Sequence, residues 1–247
     1  MAPKTTSTAG TTTSGTTRIA ATGAAEKAID GAASASPTID GAASAAPTIG
    51  IPSSTTGAVS ATAKRGASEA RARLLTTASE LFYRDGIHSV GVDRIVDAAS
   101  VTRATFYRHF PSKEDLVQAY LEGEDAWLRG AFEGLKGLEP EQALEAVIQA
   151  IADDVTRNHT RGCPFINASA EYPDAASPVR MTVKNHRDWF RATLRDTLAA
   201  AGRTNPDEQA GALVLLRDAA LVGGYLDGPD TIREVFISTA RTVAGLR

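Results

Sequence analysis

From Leu74 onward the large apolar residues recur three and four apart, at Leu74, Leu75, Ala78, Leu81 and Phe82. That spacing lines one face of a helix. The run stops at Asp85-Gly86, where glycine supplies a C-terminal stop, and Ser68 is a suitable N-cap for its start. A second helix is expected from about Val92 to Ala98, burying Val92, Ile95, Val96 and Ala99. A third runs from its cap, Thr102, to Phe110, where Pro111 ends it. Ser112 caps a fourth, with Glu114 and Asp115 favourable against the helix dipole.

Longer helices follow Gly123. Pro140 opens one reaching about Asn158, in the first-turn position that suits proline. A shorter one is expected from Gly162 to Glu171. Pro178 begins another, with Val179, Val183, His186, Phe190, Leu194 and Leu198 on one stripe. Asn205-Pro206 caps and starts the next, ending at Asp227-Gly228. Asp230 caps the last, with Ile232, Val235, Phe236, Thr239, Val243 and Leu246 facing inward. No stretch alternates with the two-residue period of a strand. The expected fold is all-α: a three-helix helix-turn-helix head over 65–116 and a larger helical body for ligand binding and dimerisation over 117–247, preceded by a disordered tail over 1–64.

The tail is rich in Ala, Thr, Ser and Gly, and IDGAASASPT at Ile29–Thr38 nearly repeats as IDGAASAAPT at Ile39–Thr48. Two copies with isoleucine as the one bulky residue bury too little to offset the entropy of ordering. A start codon set too far upstream would leave the same pattern. The amino terminus lacks a secretory signal pattern. The longest apolar run, 210–226, is interrupted by Arg217 and Asp218, so a membrane partner is not expected. A single cysteine, Cys163, forms no internal disulfide, which suits a reducing cytoplasm.

The net charge of −3 hides a split, with +1 over residues 65–120, −5 over 121–247 and +1 over 1–64. A nucleic-acid surface on this chain has to be built locally. The third helix offers one. At 100° per residue Phe106 and Phe110 form its core stripe, and Ala104, Thr105 and Arg108 point away from it. Arg103 and Tyr107 lie on one flank and His109 on the other. A helix, a tight turn and a short helix with a polar outer face is the arrangement that enters the major groove. Arg103 or Arg108 can bind guanine edges with two donors. Ala104 lets the backbone come close, the Thr105 methyl can meet thymine, and the hydroxyls of Thr105 and Tyr107 can reach phosphate. Lys113 adds a cation beside free N–H groups of the fourth helix. Charges also serve merely to solvate a helix, but this one is too short to need so many.

Gly86 to Leu116, GIHSVGVDRIVDAASVTRATFYRHFPSKEDL, resembles the DNA-binding head of the tetracycline-repressor (TetR) family of bacterial transcriptional regulators. The resemblance implies that Arg103, Thr105, Tyr107 and His109 contact DNA and that Lys113 contacts phosphate. It also implies a body that dimerises through its last two helices and binds a small molecule between the others. The partners are then double-stranded DNA with a palindromic operator, a small-molecule effector and a second copy of the chain, with no cofactor. This sequence departs from the family pattern in three places. Ser100 stands where the turn usually has glycine, Gly91 where a phosphate-binding threonine usually starts the second helix, and Ala104 where glycine is usual.

In the body, Ala219, Ala220, Gly223 and Gly224 form a small-residue strip that suits close approach of a partner helix. The segment Arg161–Asp174, RGCPFINASAEYPD, is the most distinctive, and Asn167, Glu171 and Tyr172 offer polar groups there. Trp127, Phe165, Met181, His186, Trp189 and Phe190 are candidates for an apolar cavity. His159 and Cys163 stand four apart across an expected helix break and fall short of a zinc site. The expected function is a repressor released from its operator by the effector. The alternatives are an activator, a regulator triggered by oxidation of Cys163, or an all-helical enzyme, for which no phosphate loop or nucleophile elbow speaks.

Overall fold

The structure, a computed structural model, describes residues 56–246, with side chains from 66 onward. Among the described residues nine helices and no strand occur: α1 Thr56–Asp85, α2 Val92–Ala98, α3 Arg103–His109, α4 Lys113–Glu133, α5 Pro140–Arg157, α6 Pro164–Glu171, α7 Pro178–Ala200, α8 Pro206–Asp227 and α9 Pro229–Ala244. None is long and apolar enough to cross a membrane. The expected disordered tail lies outside the described residues as far as 55. Its last nine residues, 56–64, are instead the first turns of α1, so Ser68 sits inside that helix and does not cap it. The reason is local: residues 56–67 include four alanines with Lys64 and Arg65, all strong helix formers, and no proline.

Packing follows the apolar stripes. Leu74, Ala78, Leu81 and Phe82 of α1 are buried, and α1 packs on α2, α3 and α4. Ile95, Val96 and Ala99 are buried beside Phe106 and Phe110. In α7 all six residues of the expected stripe, Val179 to Leu198, are buried. This helix packs on α4, α5, α6 and α8, while α9 closes the bundle against α5 and α8.

Side-chain caps start α3, α4 and α7, and a proline in the first turn opens each helix from α5 to α9. Thr102 Oγ1 accepts the Thr105 N–H at 3.1 Å. Ser112 and Asp115 form a reciprocal capping box at the start of α4. Two expected caps are corrected. Asn205 precedes α8 without a side-chain bond, and Gly228 rather than Asp230 precedes α9, whose first residue is Pro229.

The turn from α2 to α3 is a Schellman motif. Val101 N–H bonds to Val96 C=O at 3.0 Å and Ser100 N–H to Asp97 C=O at 3.1 Å. This geometry drives Ser100 to φ 52°, the only left-handed non-glycine among the described residues. The departure from glycine seen in the sequence is therefore a strained position. Removing its Cβ relieves more than the added glycine entropy costs, so Ser100→Gly should raise stability by roughly 0.5–1 kcal/mol. A thermal melt should rise by about 2 °C; an unchanged or lower melting point would contradict the strain.

Candidate nucleic-acid interface and interior cavity

The buried Phe106 and Phe110 anchor α3, and its other sides are open. Arg103, Ala104, Tyr107 and Arg108 are exposed, while Thr105 is half-buried. Tyr107 stands edge-on to Phe106, with centroids 5.1 Å apart, which fixes the phenol while about half the residue stays exposed. The Arg103 guanidinium is ion-paired with Asp93 of α2 through Nε and Nη2, which raises its pKa. That pairing leaves Nη1 unengaged and holds the fork across the α2–α3 face.

Two expected contacts are turned inward. The Lys113 ammonium donates to the Ile87 carbonyl at 2.6 Å and lies 5.9 Å from the Phe82 ring centroid. It ties α4 to the loop between α1 and α2 rather than standing free beside the α4 N-terminus. The His109 ring is half-buried and its Nε2 is enclosed without a hydrogen-bond partner. Burial first, then the neighbouring Arg108 and Arg71, pushes its pKa down. Periodicity put His109 on a flank of α3 and Lys113 in the first turn of α4; packing across the fold decides which way each leans.

The loop carrying that Ile87 carbonyl is bolted to the body. Glu171, the last residue of α6, accepts the backbone N–H groups of Ile87 at 2.7 Å and His88 at 2.5 Å. Tyr172 packs on the His88 ring at 5.1 Å. The Tyr83 hydroxyl donates to Gly162 C=O at 3.0 Å and accepts the Arg161 N–H at 2.7 Å, and Arg161 Nη1 returns to Tyr83 C=O at 2.8 Å. Thus the RGCPFINASAEYPD segment joins the two parts of the chain.

In the body, an enclosed apolar cavity of about 70 Å³ lies between α4, α5, α7 and α8, walled by Leu128, Phe132, Ile151 and Phe190 and by the charged Asp154 and Arg217. Trp127, half exposed, stands at its edge. A wider hollow of about 480 Å³ shares Phe132, Leu135 and Val147 with it and adds Arg129 and Trp189. Arg217 is buried and donates to Cys163 Sγ at 3.4 Å and Asp218 at 3.3 Å. Burial would lower the pKa of His159, but bonds to Asp154 (2.7 Å) and Glu124 (3.4 Å) hold it up at about 9. Burial takes His186 down to about 4, outweighing its 2.8 Å bond to Asp125. Its ring is stacked on Phe165 at 3.7 Å.

The model of the family described as bacterial regulatory proteins, tetR family, matches residues 74–120. A second, the tetracyclin repressor-like C-terminal domain, matches residues 140–223. A solved TetR-family transcriptional regulator from Streptomyces coelicolor is 43% identical, with a TM-score of 0.69 over 72% of this chain and 95% of that one. The chain belongs to the TetR family. TtgR, a regulator from Pseudomonas putida, is 39% identical over 67% of this chain and 80% of its own. FasR of Mycolicibacterium smegmatis, a transcriptional activator, is 32% identical over 47% of this chain, and the match spans 54% of FasR; the chain thus spans about half the length of that relative.

Seen as a TetR-family body, the expected ligand residues do not converge on one cavity. Trp127 lies at the enclosed cavity and Trp189 at the wider one. Phe165 and His186 are stacked core rings. Asn167 donates to Arg161 C=O at 3.3 Å, and with Tyr172 it belongs to the junction with the head. Met181 is exposed. Asp154, His186 and Arg217 are the buried polar groups, with the half-buried His159 bonded to Asp154; the signal for Arg217 was present, a charge in the middle of the longest apolar run.

The small-residue strip of α8 is also corrected. A Cβ on Gly224 would come within 2.5 Å of Val155 Cγ1, and one on Gly223 within 3.1 Å of Ile232 Cδ1, so both glycines serve packing inside the subunit. A different face of α8 is open. Leu215 and Leu226 are each 69% exposed, with Ala219 and Val222 between them at helical spacing. Val235 of α9 is 63% exposed and Thr239 is exposed, so neither faces inward as expected. The buried side of α9 is formed by Phe236, Ala240 and Ala244, whose small alanines let it settle against α5 and α8.

Proposed function

We propose that the chain is a DNA-binding transcriptional repressor that acts as a homodimer on a palindromic operator and leaves it when a small molecule binds the body. The observation that carries this is the open face of α3, on which Arg103, Ala104, Tyr107 and Arg108 stand in solvent above a buried Phe106–Phe110 anchor. Arg103, steadied by Asp93, keeps donors for a base edge, and Tyr107 and Thr105 reach phosphate. The head covers 65–116 and ends within α4, and the body covers 117–247. Twofold symmetry presents two α3 helices to major grooves roughly 34 Å apart, hence an inverted repeat. The ties from Glu171 and Tyr83 make head orientation follow α6 and the loop that precedes it. An effector then favours the dimer form with the wrong spacing, provided that it binds that form more tightly. Selection of genomic fragments by the purified protein, followed by footprinting, tests the reading. An inverted repeat should be protected, and binding without sequence preference would overturn it.

The apolar stripe Leu215, Ala219, Val222 and Leu226, continued by Val235, is the dimer face. A carboxylate there faces its own copy across the axis, so Leu226→Asp should weaken dimerisation by at least about tenfold. Sedimentation at micromolar concentration reads this, and an unchanged dimer would remove the stripe from the interface. Activation is the second reading, favoured by the similarity to FasR; a reporter gene behind the selected operator separates the two signs. A redox trigger at Cys163 is disfavoured because the thiol is 0% exposed and reactive cysteines need access.

A further inference from the structure

The interior cavity holds two charges, and they are unequally satisfied. Asp154 gives both carboxylate oxygens to His159, at 2.7 and 2.8 Å. Its charge is answered. Arg217, 5% exposed, reaches a thiol at 3.4 Å and one oxygen of its neighbour Asp218 at 3.3 Å. That same carboxylate is bound more closely by Arg187, at 2.7 Å. A guanidinium carries five donors in a planar fork and no acceptor; here the bonds to thiol and carboxylate both come from Nη1, and the one carboxylate is shared with Arg187. Around it the wall is hydrocarbon and aromatic, with the Phe190 ring 5.4 Å from the guanidinium carbon.

A charge buried among apolar groups calls for an opposite charge in hydrogen-bonding contact. We propose that the effector is a small carboxylic acid with an apolar body, its carboxylate paired with Arg217 and its body lying against Phe132 and Ile151. The proposal rests on the body being the effector domain. The cavity of about 70 Å³ is smaller than the roughly 150 Å³ that holds one benzene ring. The acid therefore has to widen it into the adjoining hollow, through the shared wall of Phe132, Leu135 and Val147. Phe132 packs edge-on to Trp189 at 5.4 Å, and Trp127 lies at the cavity, so both tryptophans of the chain report such a movement.

The test titrates the full chain with benzoate, phenylacetate and octanoate, and with the amide of each, while following tryptophan emission. At least one acid should bind about tenfold or more tightly than its own amide, because the amide keeps the shape and loses the charge. Whether an aryl acid or octanoate wins distinguishes an aromatic from a fatty source. Arg217→Met, which keeps the volume, should bring the acid down to the amide's affinity, and Arg217→Lys should retain part of the difference. Equal binding of acid and amide, no response to any of the compounds up to about 10 mM, or undiminished acid binding by Arg217→Met would each overturn the proposal. Should the Arg217 variants fail to fold, the acid–amide comparison on the unaltered chain decides alone. Acid binding by a protein that selects no operator would overturn the regulator reading and leave this assignment standing.

Discussion

Replacing Arg103 and Tyr107 together by alanine should weaken operator binding by at least about a hundredfold while leaving the dimer whole. Both side chains stand outside the core: Arg103 pairs with the exposed Asp93, and Tyr107 is half exposed. Their removal opens no cavity, because Phe106 and Phe110 still anchor α3. The loss therefore reads on recognition and not on folding. With Arg103 as the proposed base reader, its removal should relax discrimination between operator and mismatched sites. With Tyr107 as the proposed phosphate contact, its removal should weaken all sites alike. Binding by anisotropy at a fixed salt concentration, with sedimentation of the same samples, separates these effects. Tight and selective binding by the double variant would show that another surface reads the DNA.

The recognition helix was legible in the sequence because its faces follow from period alone. Phe106 and Phe110 are four apart on one buried stripe, so Tyr107 and Arg108 between them fall on the open side, while His109, on the flank, leans inward. The α7 stripe, Val179 to Leu198, was legible for the same reason. So was the strain at Ser100, since a tight turn between two short helices requires a left-handed residue whatever its side chain.

What period cannot supply is the choice among partners across the fold. In sequence Lys113 is a cation beside the N–H groups of the α4 N-terminus, yet the carbonyl of Ile87, distant in sequence, takes it. Gly223 and Gly224 look the same in sequence whether they face a second subunit or, as here, Ile232 and Val155. Val235 belongs to an apolar stripe wide enough to serve two faces, and the alanines beside it decide which one is buried. The RGCPFINASAEYPD segment stood out by composition, but its task of joining head to body depends on where α1 and α6 meet. The start of α1 was set too late because an Ala- and Thr-rich stretch with few bulky residues reads alike as tail and as helix.

The stability of the chain should peak near pH 6.5 and fall on both sides, for separate reasons at two histidines. His159 has a folded pKa of about 9 against an ordinary 6.5. Its protonated form is favoured by folding, so the contribution is complete below about pH 6.5 and lost as pH rises through 9. The shift corresponds to on the order of 3 kcal/mol over that window. His186 runs the other way. With a folded pKa of about 4, it stays neutral inside while the unfolded chain takes up a proton, so stability falls as pH drops from 6.5 towards 4. Urea unfolding between pH 5 and 9 measures both limbs. His159→Gln should flatten the alkaline limb and leave the acid limb in place, because Gln can still donate to Asp154 but cannot titrate. It should also lower the plateau near neutrality, since Asp154 and Glu124 then face each other without a cation between them. If the alkaline limb survives in His159→Gln, the proton that stabilises the head–body junction resides elsewhere, and the ring packed between Tyr83 and Trp127 acts by its contacts alone.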